Sequence, residues 1–199
     1  SENLRMPDMS GGADKSLNSF ASQEKALLKM DVIDLTKTEE FLMEAFAGES
    51  QANRKYTAFA AQADKKGLAQ AARLFRAAAE AEAVHAANHL RALKAIKSTK
   101  ENLRESIAGE THEFKEMYPE MIAAAKAEGA KDAERSFNYA NAVEEYHARL
   151  YHGMLEDLEA KKESYPYYVC PVCGMTVERE APEKCPVCGV KGSMFKKIE

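Results

Sequence analysis

The stretch EAFAGESQANRKY (44–56) reads as an amphipathic helix, except that Glu49 stands among the apolar positions Leu42, Phe46, Ala52, Tyr56 and Phe59. The same Ala-Gly-Glu word returns in SIAGETHEFKEMY (106–118), with Glu110 placed 61 residues after Glu49. Two further words repeat at nearly the same offset: EAVH (82–85) and EEYH (144–147) lie 62 apart. Each half of this region therefore reads as a helix with Ala-Gly-Glu, a turn, and a helix with Glu-x-x-His. A duplicated helical hairpin has halves related by a pseudo-twofold axis, and a site on that axis receives the same side chains from each half.

Breaks at Lys66-Gly67, near Ser98-Thr99 and at Glu128-Gly129 set helices near 36–65, 68–97, 101–127 and 131–161. Short turns make antiparallel neighbours, so the spacing predicts an all-α four-helix bundle of up-down hairpins with one longer crossover. Pro119 falls inside the third helix and is expected to kink it. Residues 1–35, with Gly11, Gly12 and several serines, read as an extension that is partly disordered or carries one short helix. The expected organisation is thus 1–35 extension, 36–160 bundle, 161–167 linker and 168–199 a separate cysteine-rich module.

Carboxylates stand at mid-length on all four apolar stripes: Glu49, Glu82, Glu110 with Glu113, and Glu144. Buried ionised carboxylates without partners cost several kcal/mol each. No lysine or arginine sits on these stripes, which leaves bound cations as the remedy. Glu-x-x-His puts both side chains on one helix face, within reach of one metal. Two such motifs, Glu82/His85 and Glu144/His147, plus a glutamate from each other helix make the ligand set of carboxylate-bridged di-iron and di-manganese bundles. Oxygen-rich donors with one imidazole per metal suit iron or manganese. On spacing alone Glu113 fits either the site or a helix flank. Tyr56 and Tyr118 are core tyrosines whose hydroxyls need a partner, and a ligating carboxylate would supply it. His112 and His152 fall off the stripes. His89 lies one turn beyond His85 on the same face, where a satisfied inward histidine or a local proton donor fits better than a ligand.

All four cysteines follow residue 165, in two C-P-V-C-G knuckles: Cys170/Cys173 and Cys185/Cys188. This is a tetrathiolate metal signal. The glycine after each knuckle permits the tight turn that aims N–H groups at the sulfurs. Spacing does not choose between zinc and iron.

The remaining features exclude more than they assign. The chain has 199 residues, 30% charged, no tryptophan and net charge −4. No basic run points to nucleic acid, and no stretch reaches the ~18 apolar residues of a membrane span. No leader pattern opens the sequence, and the cysteine usage points to a metal in a reducing cytoplasm.

Taken together, AFAGESQANRKY, AGETHEFKEMYP, EAVH, EEYH and the paired CPVCG knuckles resemble rubrerythrin over roughly residues 36–199. The resemblance implies a ferritin-like di-iron bundle followed by a rubredoxin-like domain. It places Glu49, Glu82, His85, Glu110, Glu113, Glu144 and His147 around two irons, carboxylate-bridged and oxo-bridged when oxidised. It places Cys170, Cys173, Cys185 and Cys188 around one iron, for which zinc can substitute. It implies that one iron exchanges His85 for Glu113 on oxidation, which adds a negative charge as ferrous becomes ferric. The implied activity is reduction of hydrogen peroxide to water, with electrons from a rubredoxin or an NAD(P)H-dependent reductase, in oxidative-stress defence. A ferroxidase of ferritin type, a manganese-catalase-like dismutase and a zinc-ribbon interaction protein are the alternatives. Met175 stands where rubredoxin-like domains commonly carry an aromatic residue.

One geometric expectation follows from length. From Glu144 to the helix end near Lys161 is 17 residues, or ~25 Å at ~1.5 Å per residue. The cysteine module is then expected far from its own acid-histidine site, which favours a head-to-tail homodimer in which each tail docks on the partner's bundle.

Overall fold

The computed structural model describes residues 35–160 and 164–199, so the expected extension lies outside the described residues except for Leu35. The chain divides into two compact units between Leu93 and Lys94.

The first unit is a hairpin of helices α1 (Lys37–Lys65) and α2 (Ala69–Ala92). Thr36 starts α1 with a reciprocal cap. Its Oγ1 accepts the Glu39 N–H at 3.3 Å, while Glu39 Oε2 accepts the Thr36 N–H at 2.9 Å. Such a cap satisfies two otherwise orphaned helix-end donors. Gly67, at φ +71°, makes the turn into α2. The buried positions of α1 and α2 are all alanines: Ala60, Ala63, Ala72, Ala79 and Ala86. Small side chains bring the helix backbones close, and the Asn53 side-chain amide crosses to donate to the Ala79 carbonyl at 2.7 Å. Phe59 and Phe75 meet edge-on, with centroids 5.5 Å apart. The α2 helix ends at Ala92 rather than at 97, because Lys94 takes φ +53° and leaves the right-handed helical region.

The second unit opens with α3 (Thr99–His112), a π-helical segment (Glu113–Met117), α4 (Tyr118–Glu128) and α5 (Lys131–Glu156). Ser98 and Glu101 repeat the cap of Thr36 and Glu39, and Gly129 at φ +69° repeats Gly67, each 62 positions on. Against this frame Glu110 is one position early. Glu110 to Gly129 spans 19 positions, whereas Glu49 to Gly67 spans 18. The π turn takes up the extra residue: the Tyr118 N–H reaches back five residues to the Glu113 carbonyl. A wide turn of this kind also gives the Pro119 ring room beside the preceding backbone. The kink expected at Pro119 is thus realised as a widened turn just before it, and it begins at Glu113.

The same unit carries the cysteine module. Strands β1 (Tyr167–Val169), β2 (Thr176–Glu178) and β3 (Lys196–Ile198) form a sheet in the order β2-β1-β3. Both outer strands run antiparallel to β1, with Tyr168 opposite Val177 on one side and Lys197 on the other. The core joins Cys170, Met175, Cys185 and Phe195 to Val143 of α5. The four helical rods and the small cysteine module are as the sequence predicts.

Gly192 is a hidden requirement of this module. A Cβ there would lie 1.6 Å from the Pro182 carbonyl oxygen, a backbone atom that has no way to swing aside. Gly192→Ala is expected to unfold the module and abolish metal binding at the cysteines, while far-UV circular dichroism of the helices stays near wild type. Full metal retention by that variant would contradict the reading.

Candidate metal centres

Each hairpin assembles one acid-histidine cluster, and the two are alike. On α1 and α2, one ligand atom each from Glu49, Glu82 and His85 lie within 4.8 Å of one another. His85 Nδ1 is 2.9 Å from Glu82 Oε2 and 3.9 Å from Glu49 Oε1. On α3 and α5, Glu110, Glu144 and His147 cluster within the same limit. His147 Nδ1 is 2.8 Å from Glu144 Oε2 and 3.7 Å from Glu110 Oε1. In both clusters one turn of helix aligns the Glu-x-x-His pair, and the neighbouring helix brings the lone glutamate. The clusters differ in cover, since the His85 side chain is 53% exposed and that of His147 26%.

Crowding of acids perturbs the second cluster. Burial and the neighbouring Glu144 push the Glu110 carboxyl up to about 7. Burial acts the same way on Glu144, but hydrogen bonds from His147 and Glu110 outweigh it and hold that group below the usual carboxylate range. The Glu144 hydrogen bond raises His147, against burial. Glu113 is raised by burial and by the Glu144 charge. It shares the electrostatic environment of the cluster without being one of its three ligand atoms. Like charges at this range cannot all ionise.

The sign of the consequence is fixed by these directions. Groups raised on folding, Glu110, Glu113 and His147, contribute stability at low pH that is lost as pH rises through their folded values. Glu144, lowered, contributes stability that is lost only in acid, below its unfolded value. The metal-free protein is therefore expected to lose several degrees of Tm between pH 5 and 8, since about 1 kcal/mol corresponds to a few degrees at this size. Glu110→Gln should flatten that slope, and added ferrous iron should reverse it. A Tm that rises over the same range without metal would contradict the assignment.

The cysteine site is geometrically ready for a metal. Sγ of Cys170 lies 3.6 Å from that of Cys188, and Sγ of Cys173 lies 3.4 Å from that of Cys185. Four sulfurs about 2.3 Å from one tetrahedral ion would lie about 3.8 Å apart. Gly174 at φ +84° and Gly189 at φ +75° close the two knuckles as expected. Burial opposes ionisation of Cys170, yet the N–H groups of Cys173 and Val172 draw its thiol down to about 7. Met175 is buried beneath the knuckle, and its carbonyl accepts the Cys170 N–H at 2.8 Å.

Comparison with known proteins agrees with both centres. Residues 40–155 match the family pattern Rubrerythrin, and residues 168–196 match the rubrerythrin, rubredoxin-like domain. Rubrerythrin-2 of Clostridium acetobutylicum is 37% identical over 174 residues, covering 79% of this chain and 95% of that protein. Rubrerythrin of Porphyromonas gingivalis is 34% identical over 182 residues, covering 82% and 91%.

The chain belongs to the rubrerythrin family.

Among solved structures, partially reduced nigerythrin gives a TM-score of 0.51 at 32% identity, covering 85% of this chain and 91% of that one. Nigerythrin of Nitratidesulfovibrio vulgaris is 35% identical over 165 residues, covering 76% of this chain and 81% of that protein. Rubrerythrins carry a di-iron site and a rubredoxin-like iron site, and they are oxidoreductases of peroxidase type connected with oxidative stress. The donors present here fit both groups. Carboxylates with one imidazole per cluster suit iron, and the four thiolates suit the single ion. No helix among the described residues is long and apolar enough to cross a membrane.

One expectation is corrected. The rubredoxin-like module of this rubrerythrin-family chain lies against its own α5, where His147 Nε2 meets Thr176 Oγ1 at 2.9 Å. Val143 of α5 enters the module's core, and Tyr146 packs against it. The expectation took the linker to double back only partly, whereas Ser164, Tyr165 and Tyr167 lie beside Leu150, Met154 and Leu158 near the end of α5. The returning chain and the end of α5 enclose a cleft of about 680 Å³ lined by Tyr146, Tyr165, Tyr167 and Arg179.

Among the described residues, neither the Tyr56 nor the Tyr118 hydroxyl bonds a carboxylate of its own hairpin, and each ring packs on aromatics instead. Tyr56 packs on Phe59 and Phe75, each 6.3 Å away, and Tyr118 packs on Phe137 at 6.3 Å. Burial, then the charges of Glu113, Glu144 and Glu110, raise the Tyr118 hydroxyl, which keeps it protonated beside the acids. His112 is exposed and pairs with Glu116 at 3.3 Å, whereas His152 is partly covered and lies 3.6 Å from Glu156. Sequence reasoning missed Thr176, Gly192 and the π turn. Only the last left a signal, the 61-residue offset of Glu110 among offsets of 62.

Proposed function

We propose that this rubrerythrin-family chain reduces hydrogen peroxide to water, taking two electrons and two protons per peroxide, with electrons entering through its own tetrathiolate iron. The observation that carries the reading is the contact between the cysteine module and His147, which sets an electron-carrying site directly against a di-iron ligand. Glu49, Glu82, His85, Glu110, Glu144 and His147 hold the two irons, and Glu113 joins them. Iron held by these carboxylates would supply the electrons for O–O cleavage, and iron held by the four thiolates would supply electrons to it. The chain's own residues prepare that chemistry. Glu110 and Glu144 hold a proton between them at neutral pH that metal binding displaces. Among the described residues exposed His85 has fewer partners than His147, which supports the exchange of His85 for Glu113. Tyr118 stays protonated against the acids, and Tyr56 occupies the matching place on α1.

A rubredoxin or an NAD(P)H-dependent reductase is the proposed donor, and a cytoplasmic homodimer the proposed state. The dimer now rests on the family alone, because the distance argument for it has gone. Anaerobic stopped-flow mixing of the reduced, iron-loaded protein tests the activity. Oxidation by one equivalent of peroxide per di-iron site, faster than by oxygen, is the expected result. Oxygen outpacing peroxide would favour ferroxidase chemistry, and peroxide loss without external electrons would favour a catalase-type dismutase.

A further inference from the structure

His147 is gripped on both ring nitrogens. Nδ1 faces Glu144 Oε2 at 2.8 Å, and Nε2 faces Thr176 Oγ1 at 2.9 Å. The Thr176 hydroxyl donates its own proton to the Gly174 carbonyl at 3.1 Å, so toward His147 it acts as acceptor. With acceptors at both nitrogens, Nδ1 donates to Glu144 in the metal-free ring and Nε2 donates to Thr176. Nδ1 is the atom beside Glu144 and Glu110, so the ring orientation held by Thr176 is the one in which a cation can take the place of the Nδ1 hydrogen while Nε2 keeps its own. The equivalent His85 lacks this arrangement: its Nδ1 meets Glu82, but no hydrogen bond to Nε2 forms within its hairpin.

The restraint comes from the cysteine module, not from the helices. Thr176 opens β2, three positions after Cys173, and its acceptor Gly174 belongs to the first knuckle. The Gly174 N–H bonds the Cys170 carbonyl at 3.0 Å, and the Cys170 N–H bonds the Met175 carbonyl at 2.8 Å. Gly174 also sits against Val143 on α5, one turn before His147. Metal at the cysteines organises this knuckle, since thiolate sites couple binding to local folding. The path from the cysteine metal to the imidazole therefore runs through two short backbone bonds and one hydroxyl.

We propose that Thr176 is a positioning residue for His147, and that through it occupancy of the cysteine site sets the metal affinity of the Glu110/Glu144/His147 cluster. The inference rests on the metal reading of that cluster given above. It makes the order of loading matter: the thiolate ion first, then the acid-imidazole ions. By linkage, filling the acid-imidazole cluster tightens the cysteine site in turn.

The test uses the full chain with zinc at the four cysteines and no other metal. Nitrogen-15 NMR of the histidine rings is expected to show an exchange-protected Nε2–H on His147 in the wild type and in Thr176→Ser, and loss of that protected signal in Thr176→Val. Anaerobic titration with ferrous iron should then give roughly 10–100-fold weaker binding at the acid-imidazole cluster in Thr176→Val, the usual cost of losing a ligand's supporting partner. Thr176→Ser should remain within about threefold of wild type, because it keeps the hydroxyl. Unchanged zinc content confirms that the variant module is folded. A protected Nε2–H and wild-type affinity in Thr176→Val would overturn the inference while leaving the metal reading intact. Failure of wild-type protein to bind ferrous iron beyond the cysteines would sink the metal reading instead, and the Nε2–H signal would still decide the role of Thr176.

Discussion

Glu144→Ala leaves a red protein that no longer reduces peroxide. The expected loss is roughly a hundredfold or more in peroxide-dependent turnover, with ferrous binding outside the cysteines weakened at least as much, since even supporting partners of metal ligands are felt at 10–100-fold. Three effects coincide at this position. The substitution removes a donor oxygen and strips His147 Nδ1 of its 2.8 Å partner. It also removes the neighbour that helps raise Glu110 to about 7. The colour persists because the thiolate site draws on none of these atoms. Glu145→Ala is the matched control. That side chain pairs with Arg149 on the half-exposed side of the same helix, where an i,i+4 pair is worth about 0.3–0.5 kcal/mol. Turnover and iron content should be unchanged there. Equal losses in the two variants would mean that α5 was damaged as a helix and that no metal ligand had been identified.

Cys185→Ser separates the two centres in the opposite sense. Cys185 is 3% exposed in the core of the module, and its Sγ lies 3.4 Å from that of Cys173. A serine hydroxyl is a poor ligand for a site built of thiolates. The variant is expected to lose its red colour and at least about 100-fold of steady-state turnover, the scale reached when an element of a metal centre is withdrawn. Chemically pre-reduced protein at saturating iron should still be oxidised by peroxide in a single turnover, within about tenfold of the wild-type rate. That split between sustained and single turnover is the signature of an electron-entry site. Undiminished steady-state turnover in the colourless variant would show that electrons reach the carboxylate site by another route.

Much of the site was legible because its pattern is local. A carboxylate at a helical position otherwise filled by apolar groups, and a histidine one turn beyond another, are placed by helix geometry alone. Duplication supplied an internal control, since Glu82/Glu144 and His85/His147 recur 62 positions apart and Glu49/Glu110 recur 61 apart. Glu113 stayed ambiguous for an equally physical reason. A π turn begins at that residue, and the 3.6-residue period used to assign faces fails there. The early end of α2 was not legible because Lys94 adopts a left-handed conformation usually signalled by glycine.

The amino-acid order by itself determined the four helical rods, the three-residue spacing of each Glu-His pair, and the four-thiolate knuckles, because each is fixed within one turn or one short loop. Only the tertiary structure decided that the cysteine module packs on Val143 of α5, that Thr176 caps the ring of His147 from 29 positions away, and that Gly192 is pressed on Pro182. Contacts between distant segments depend on the path of the chain between them, and no periodicity in the residues records that path.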